Sequence, residues 1–364
     1  MMRRYAPWIA IAVGIAGCIL AWRLDATALL AAYLAAWWCA VGVLLGGLAN
    51  VWLHNLTGGA WGEAIRAPLL RNAQWLWLTA LLFLPIALGT AHLYPWAAHS
   101  GSSAWSWHAA LSAPGFKDVW LSRPFFIGRS VFYLIAWHTL ARLSMRPGLR
   151  RARLFSAFAL ITYGFTVSLA SVDWIMSLMP LWYSSVFGLL AGTAQMLAGM
   201  ALAIVMAIRR GTPPAVLRDL GNLLLMYVMT LAYLSFVQFL IIWAENLPHE
   251  ISWYLVRARQ EWVGMAQLLV LLMYFVPQLL LLSRRFKETP HLLGALAAGI
   301  VLMSLVYAWW LVLPSAPEPR HGWLWFAPSP ILALAGLAWL LAPRHKLKAD
   351  ERSSTPRMQE ESRV

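Results

Sequence analysis

The stretch "SLASVDWIMSLMPLWYS", residues 168–184, decides how the chain is read. It is apolar on both sides, yet it carries one carboxylate, Asp173. A proline follows at position 180 and an aromatic pair, Trp182-Tyr183, closes it. An apolar run of helical length that ends on Pro and Trp/Tyr is the end of a membrane span, with the aromatics at the lipid–water boundary. Working outward, the same grammar recurs along the chain. It is 61% hydrophobic and only 12% charged, against roughly 45–50% and about 25% in a soluble domain. The chain is therefore read as an all-α integral membrane protein.

A hydrocarbon core of roughly 30 Å takes about 20 apolar residues per helix. Ten spans meet this need: 7–22, 26–53, 75–96, 124–143, 154–178, 185–208, 219–243, 262–283, 291–313 and 327–342. Together they make one polytopic domain, 1–342, followed by a charged tail, 343–364, with no apolar period and an expected lack of order. A short helix over 249–260 is expected to lie on the membrane surface in the loop after span seven.

The basic residues orient this domain. Of 28 Lys and Arg, twenty-one fall on the termini and even-numbered loops, counting Arg142 with loop four. Six fall on the odd loops, and Arg129 lies inside span four. The asymmetry puts both termini in the cytoplasm, with the chain crossing the membrane several times. The net charge of +14 is thus a topology signal, and a nucleic-acid partner is not expected. The two cysteines, Cys18 and Cys39, lie in apolar runs with no Cys-rich cluster spacing. No metal or haem site of its own is expected. The "IAGC" at 15–18 resembles a lipoprotein cleavage box, but the apolar run continues through Trp22 as an ordinary first span does.

Ionisable groups at membrane depth are costly and need partners. Asp173 lies five residues before the outer end of span five, and Arg129 lies five residues past the outer start of span four. Antiparallel neighbours place the two at equal depth, which predicts an Arg129–Asp173 pair. Asp173 also belongs to a stripe, Tyr163, Thr166, Ala170, Asp173 and Ser177, at spacings of 3 and 4 on one helix face. The stripe is either an interhelical seam or the lining of a polar path for protons or a quinone headgroup. His138, nine residues from Arg129, faces the opposite side of span four. His138 and His54 both belong to the inner side, where they are proton-path candidates or hydrogen-bonded interfacial residues. Glu245, His249 and Glu250 lie in the outer loop after span seven and are expected to be solvated.

Three stretches resemble a known family: "HNLTGGAWG" (54–62), "DWIMSLMPLWYSSVFG" (173–188) and "DLGNLLLMYVMTLAYLSFVQFLIIWAENLPHEISWYL" (219–255). Together they look like the ActF membrane subunits of bacterial alternative complex III, a quinol:electron acceptor oxidoreductase. The resemblance covers about residues 40–315. It implies an NrfD-like arrangement of ten helices, two four-helix bundles plus two peripheral helices. It also implies a subunit that is not catalytic alone, beside a sister NrfD-like subunit, an iron–sulfur subunit and haem c subunits. Those partners hold the haem c and iron–sulfur clusters. This chain supports the quinol-oxidising subunits, with quinone binding or a proton path as further roles. The chain departs from the family pattern at Asn55, where a second His is common, at Glu245, where a small residue is usual, and at His249, which replaces an acid. The alternative readings are an NrfD-type quinone-binding anchor of another periplasmic oxidoreductase and a secondary transporter. The transporter requires broken helices at matching places in two halves.

A weaker echo runs inside the chain. Trp174, Pro180 and Trp182-Tyr183 resemble Trp243, Pro248 and Trp253-Tyr254, each set ending an outward-running span.

Overall fold

The computed structural model describes residues 17–98, 119–179 and 182–317. Among these the chain is helical, with no strand. Residues 17–24 are helical, and the rest of the expected first span lies outside the described residues, as do Pro180, the expected span 327–342 and the tail.

The main helices begin and end where the backbone chemistry directs. The Asp25 carboxylate accepts from the Thr27 and Ala28 amides and starts α1, Ala26–Thr57. Gly58 and Gly59, at φ 76° and 101°, turn the chain back into α2, Ala60–Ala73. Three short helices follow: α3, Leu76–Leu81; α4, Leu84–Leu88; and α5, Thr90–Leu93. Beyond them lie α6, Arg123–Ser144, α7, Arg153–Trp174, and α8, Phe187–Ile208. Helix α9, Pro214–Glu245, ends on Asn246 in the left-handed conformation (φ 52°), and Pro248 opens the short α10, Pro248–Arg257. Helix α11, Gln260–Leu282, contains a π-helical turn over Val270–Phe275. A short α12, Arg284–Glu288, leads into α13, Pro290–Val312.

Among the described residues, six helices are long and apolar enough to cross a membrane: α1, α7 with its 3-10 extension to Leu178, α8, α9, α11, and α13 extended to Ser315. The bent pair α2 and α3–α4 makes a seventh if it is one span. This is a multi-pass all-helical membrane protein. Helix α6 matches the expected fourth span in length, but Arg129, His138 and the flanking arginines make it less apolar than these six.

The third span departs from expectation. Residues 75–96 do not form one helix, and α2, expected as loop, precedes them at a bend of 40°. The reason is local. Pro85 supplies no N–H to the turn before it. Gly89 then presses its backbone onto α1, where a Cβ would come within 2.4 Å of Leu30. The helix is broken so that a backbone can approach its neighbour.

Helix α1 is the axis of the molecule. It packs on α2, α7, α8 and α13. Its closest contact is with α8 and uses Gly42, Gly46 and Gly47 against Gln195 and Gly199. A Cβ on Gly46 would sit 1.7 Å from the Gln195 carbonyl oxygen, and one on Gly199 would sit 2.1 Å from the Gly47 nitrogen. Small residues at four-residue spacing allow this backbone-to-backbone approach, which dispersion then holds without any hydrophobic drive. Helix α8 joins two groups of helices. One contains α1, α2 and α7, with α6 on α7. The other contains α9 and α13, with α11 packed on both.

Candidate functional site

The C-terminal part of α7 builds a dense polar cluster. Asp173 is 1% exposed. The Arg129 guanidinium grips it as a fork, with Nε donating to Oδ2 at 2.8 Å and Nη2 to Oδ1 at 2.9 Å. The Tyr133 hydroxyl donates a third bond to Oδ2 at 2.8 Å. Arg129 and Tyr133 stand one turn apart on α6, so one helix face delivers both groups. The far side of the guanidinium lies over the rings of Trp120 and Phe125, at 4.0 and 4.5 Å. Asp173 lies next to the last residue of α7, where the helix dipole disfavours negative charge. The fork supplies the compensation.

Trp174 anchors the same corner from the other side. Its ring meets Trp37, Phe83, Tyr133 and Trp137 at centroid distances of 5.0 to 5.8 Å. Its Nε1 donates to Ser130 Oγ at 2.9 Å, and its carbonyl accepts from Tyr94. Carboxylate and indole are fixed together, so Asp173 has no free rotation toward solvent.

The rest of the expected stripe is buried on the same face, and each polar member has a partner on another element. Thr166 Oγ1 accepts from Trp137 Nε1 at 2.8 Å. The Tyr163 hydroxyl lies 3.2 Å from Gln195 Oε1 and from the Gly192 carbonyl. Ser177 Oγ accepts from Trp96 Nε1 at 3.3 Å. Bonds that cross from α7 to α6, to α8 and to the segment before α6 are the bonds of a seam.

His54 and His138 part company. His54 is buried with both ring nitrogens occupied. Nε2 bonds the Gly59 carbonyl at 2.9 Å, and Nδ1 faces Arg66 Nη2 at 2.8 Å. A guanidinium can only donate, so Nδ1 is the acceptor and Nε2 carries the proton. No lone pair is left for a haem iron. Gly62 makes room for this ring, since a Cβ there would meet it at 1.9 Å. Asn55 accepts from the same guanidinium at 2.6 Å. His138 is half-buried and makes no hydrogen bond among the described residues.

The trio Glu245, His249 and Glu250 departs from expectation. Glu245 is exposed and His249 half-exposed, stacked on Tyr183 at 5.9 Å. Glu250, expected in solvent, is 8% exposed. Helix α10 is amphipathic, and Glu250, Trp253 and Arg257 at spacings of 3 and 4 all turn inward.

That face carries a group the sequence reading passed over. Arg257, counted as an ordinary loop cation, is 3% exposed. Its Nε donates to the Trp310 carbonyl at 3.1 Å, and Nη2 donates to the Leu311 carbonyl at 2.8 Å and Ser315 Oγ at 2.7 Å. Nη1 donates to the Trp253 carbonyl at 2.9 Å. The Trp310 and Leu311 carbonyls are among the last of α13, which have no partner inside their own helix. The cation caps that helix, and the Trp253 ring lies 3.6 Å from its carbon. A second overlooked node is Asn50. Its amide nitrogen donates to the Gly46 and Met196 carbonyls at 2.8 and 3.0 Å, and its oxygen accepts from Tyr227 at 2.7 Å. One side chain thus ties α1, α8 and α9. An Asn inside an apolar run was the available signal, as was Tyr133 one turn after Arg129.

The two halves of the internal echo meet. Trp182 stacks on Trp253 at 4.9 Å and 16°, and Ser184 donates to Gln238 at 2.9 Å. No family model and no curated protein matches this chain. Among the described residues, no group of three or more His, Cys, Asp and Glu side chains is placed to hold a metal ion.

Proposed function

We propose that this chain is an ActF-like, ten-span subunit of a quinol:electron acceptor oxidoreductase of the alternative complex III type. In this reading it lies in the bacterial inner membrane with both termini in the cytoplasm. It supports the quinol-oxidising subunits and is not catalytic alone. Its partners are a sister NrfD-like subunit, an iron–sulfur subunit and haem c subunits.

The observation that carries this reading is the meeting of its two most specific stretches. The stretch 173–188 is built on the Asp173 fork, and it stacks through Trp182 onto Trp253 of the stretch 219–255. Residues far apart in sequence that resemble one family come together in one buried contact. Asp173 is assigned to locking α6 to α7, because every polar member of its stripe already has a protein partner. A transporter fits less well. That reading needs broken spans in matching halves, and the described residues contain one bent pair.

Mild-detergent purification of the tagged full chain tests the reading. Haem c and iron–sulfur proteins should co-purify with it. A chain that purifies alone, or that carries a haem b spectrum of its own, would overturn it.

A further inference from the structure

The second helix group holds a buried cation without an acid. Arg257 is 3% exposed, and no carboxylate pairs with it among the described residues. Glu250, the other charged residue on that face of α10, stands two turns earlier, about 10 Å along the helix. The carbonyls and the Ser315 hydroxyl around Arg257 satisfy its donors but do not cancel its charge. The C-terminal dipole of α13 supplies roughly half a negative charge. The remaining positive charge is held among aromatic rings, where an unmatched ion is costly.

Arg257 also lines a cavity of about 520 Å3. A neighbouring cavity of about 470 Å3 shares Phe239, Tyr254, Ala266 and Trp310 with it, so the two form one cleft between α9, α10, α11 and α13. Its size falls within the range of small-molecule sites, roughly 300–1,000 Å3.

We propose that this cleft binds a long-chain fatty carboxylate, with the anionic head at Arg257 and the tail along α11. The charge of Arg257 calls for an anion, and the lining contains no Asp, Glu or Lys to compete for one or to repel one. A second donor stands beside it. Trp310 Nε1 is buried and has no hydrogen-bond partner among the described residues, and its ring centre lies 5.2 Å from the guanidinium carbon. A carboxylate oxygen would accept from that orphan N–H.

The same lining selects a compact head. Besides Arg257 and Trp310, the cavity around the cation offers only Tyr254 and Gln267 as polar side chains. A carboxylate needs few donors. A glycerophosphate head brings ester carbonyls and hydroxyls that would be buried without partners. The tail has its own path. From the Arg257 end the lining follows α11 from Val263 to Phe275, a rise of about 18 Å. Val270, Leu271 and Phe275 are exposed on this helix, which is apolar enough to cross a membrane, so the cleft opens toward lipid. The site stands independently of the proposed assignment to a respiratory complex.

The test uses the full chain in nanodiscs of uncharged lipid, in alkaline buffer that keeps the carboxyl ionised. Three photoreactive probes carry the same diazirine tail: a fatty acid, the matching fatty alcohol and a phosphatidylglycerol. The fatty acid should crosslink to α10 or α11 about ten-fold above the alcohol, the difference expected for a charge-assisted bond, and well above phosphatidylglycerol. Arg257→Gln should abolish that labelling, while Arg257→Lys, which keeps the charge, should retain much of it. Because Arg257 also caps α13, two variants leave it in place. Trp310→Phe removes only the indole N–H and should cut labelling about five-fold, the loss expected for about one hydrogen bond. Ala266→Phe fills the cleft and should abolish labelling. Equal labelling by the alcohol, equal or stronger labelling by phosphatidylglycerol, labelling unchanged by Trp310→Phe and Ala266→Phe, or no crosslink on these helices would overturn the proposal.

Discussion

Asp173 is held by three donors in a site closed to water, and its value to the fold is asymmetric. Removing one partner of a buried pair strands the other, at a cost of about 3–5 kcal/mol. Asp173→Asn should therefore lower the unfolding free energy by that order in a detergent denaturation series. The double variant Arg129→Met/Asp173→Leu should recover most of the loss, because neither charge is left alone. If Asp173 conducts protons instead, the double variant stays as stable but proton-coupled activity of the assembled complex disappears. Arg257 makes a parallel case. Arg257→Lys keeps the charge but cannot bridge the Trp310, Leu311 and Trp253 carbonyls at once. A loss of about 1–3 kcal/mol is expected from the carbonyls left unpaired. Thermal melting of the purified chain would read it, and a melt equal to wild type would mean that the cap contributes nothing.

At the scale of elements, α1 and α8 carry the design. Their glycines face one another so closely that no side chain fits between them. Overpacking a core costs about 1–3 kcal/mol when side chains can yield. At Gly46 the obstacle is the backbone of Gln195, which cannot yield without moving α8. Gly46→Ala should lose at least that much and reduce the yield of monodisperse protein on size-exclusion chromatography. Gly192→Ala, on α8 with open space around its missing Cβ, should behave as wild type. The broken third span belongs to the same scale. Its apolar composition was legible, but its breaks were not. Gly89 reads as an ordinary span glycine until Leu30 of α1 is found against it.

At the scale of the molecule, the basic residues should fix orientation. Cysteine variants at Gly148 and Glu245 sit on opposite sides in the proposed topology. A membrane-impermeant maleimide added to intact spheroplasts should label Glu245→Cys and spare Gly148→Cys. The reverse pattern would turn the molecule over. The two helix groups meet along α8 and where α13 packs on α1, and the Asp173 lock lies in the first group.

What the sequence determined by itself rests on composition and spacing along single helices. Apolar runs define the membrane class and most span positions, since insertion depends on local hydropathy. Equal depth on adjacent antiparallel spans was enough to pair Arg129 with Asp173. Helical periodicity was enough to put Tyr163, Thr166 and Ser177 beside them. What only the tertiary structure decided depends on how helices are rotated and where chain ends land. Tyr133 joins the fork, Arg257 caps a helix more than fifty residues away, Glu250 turns inward, and His54 is sealed by Arg66. Each of these bonds links groups whose partner lies on another element or turns on an unassigned helix. No periodicity along one segment encodes which face of a neighbour it will meet.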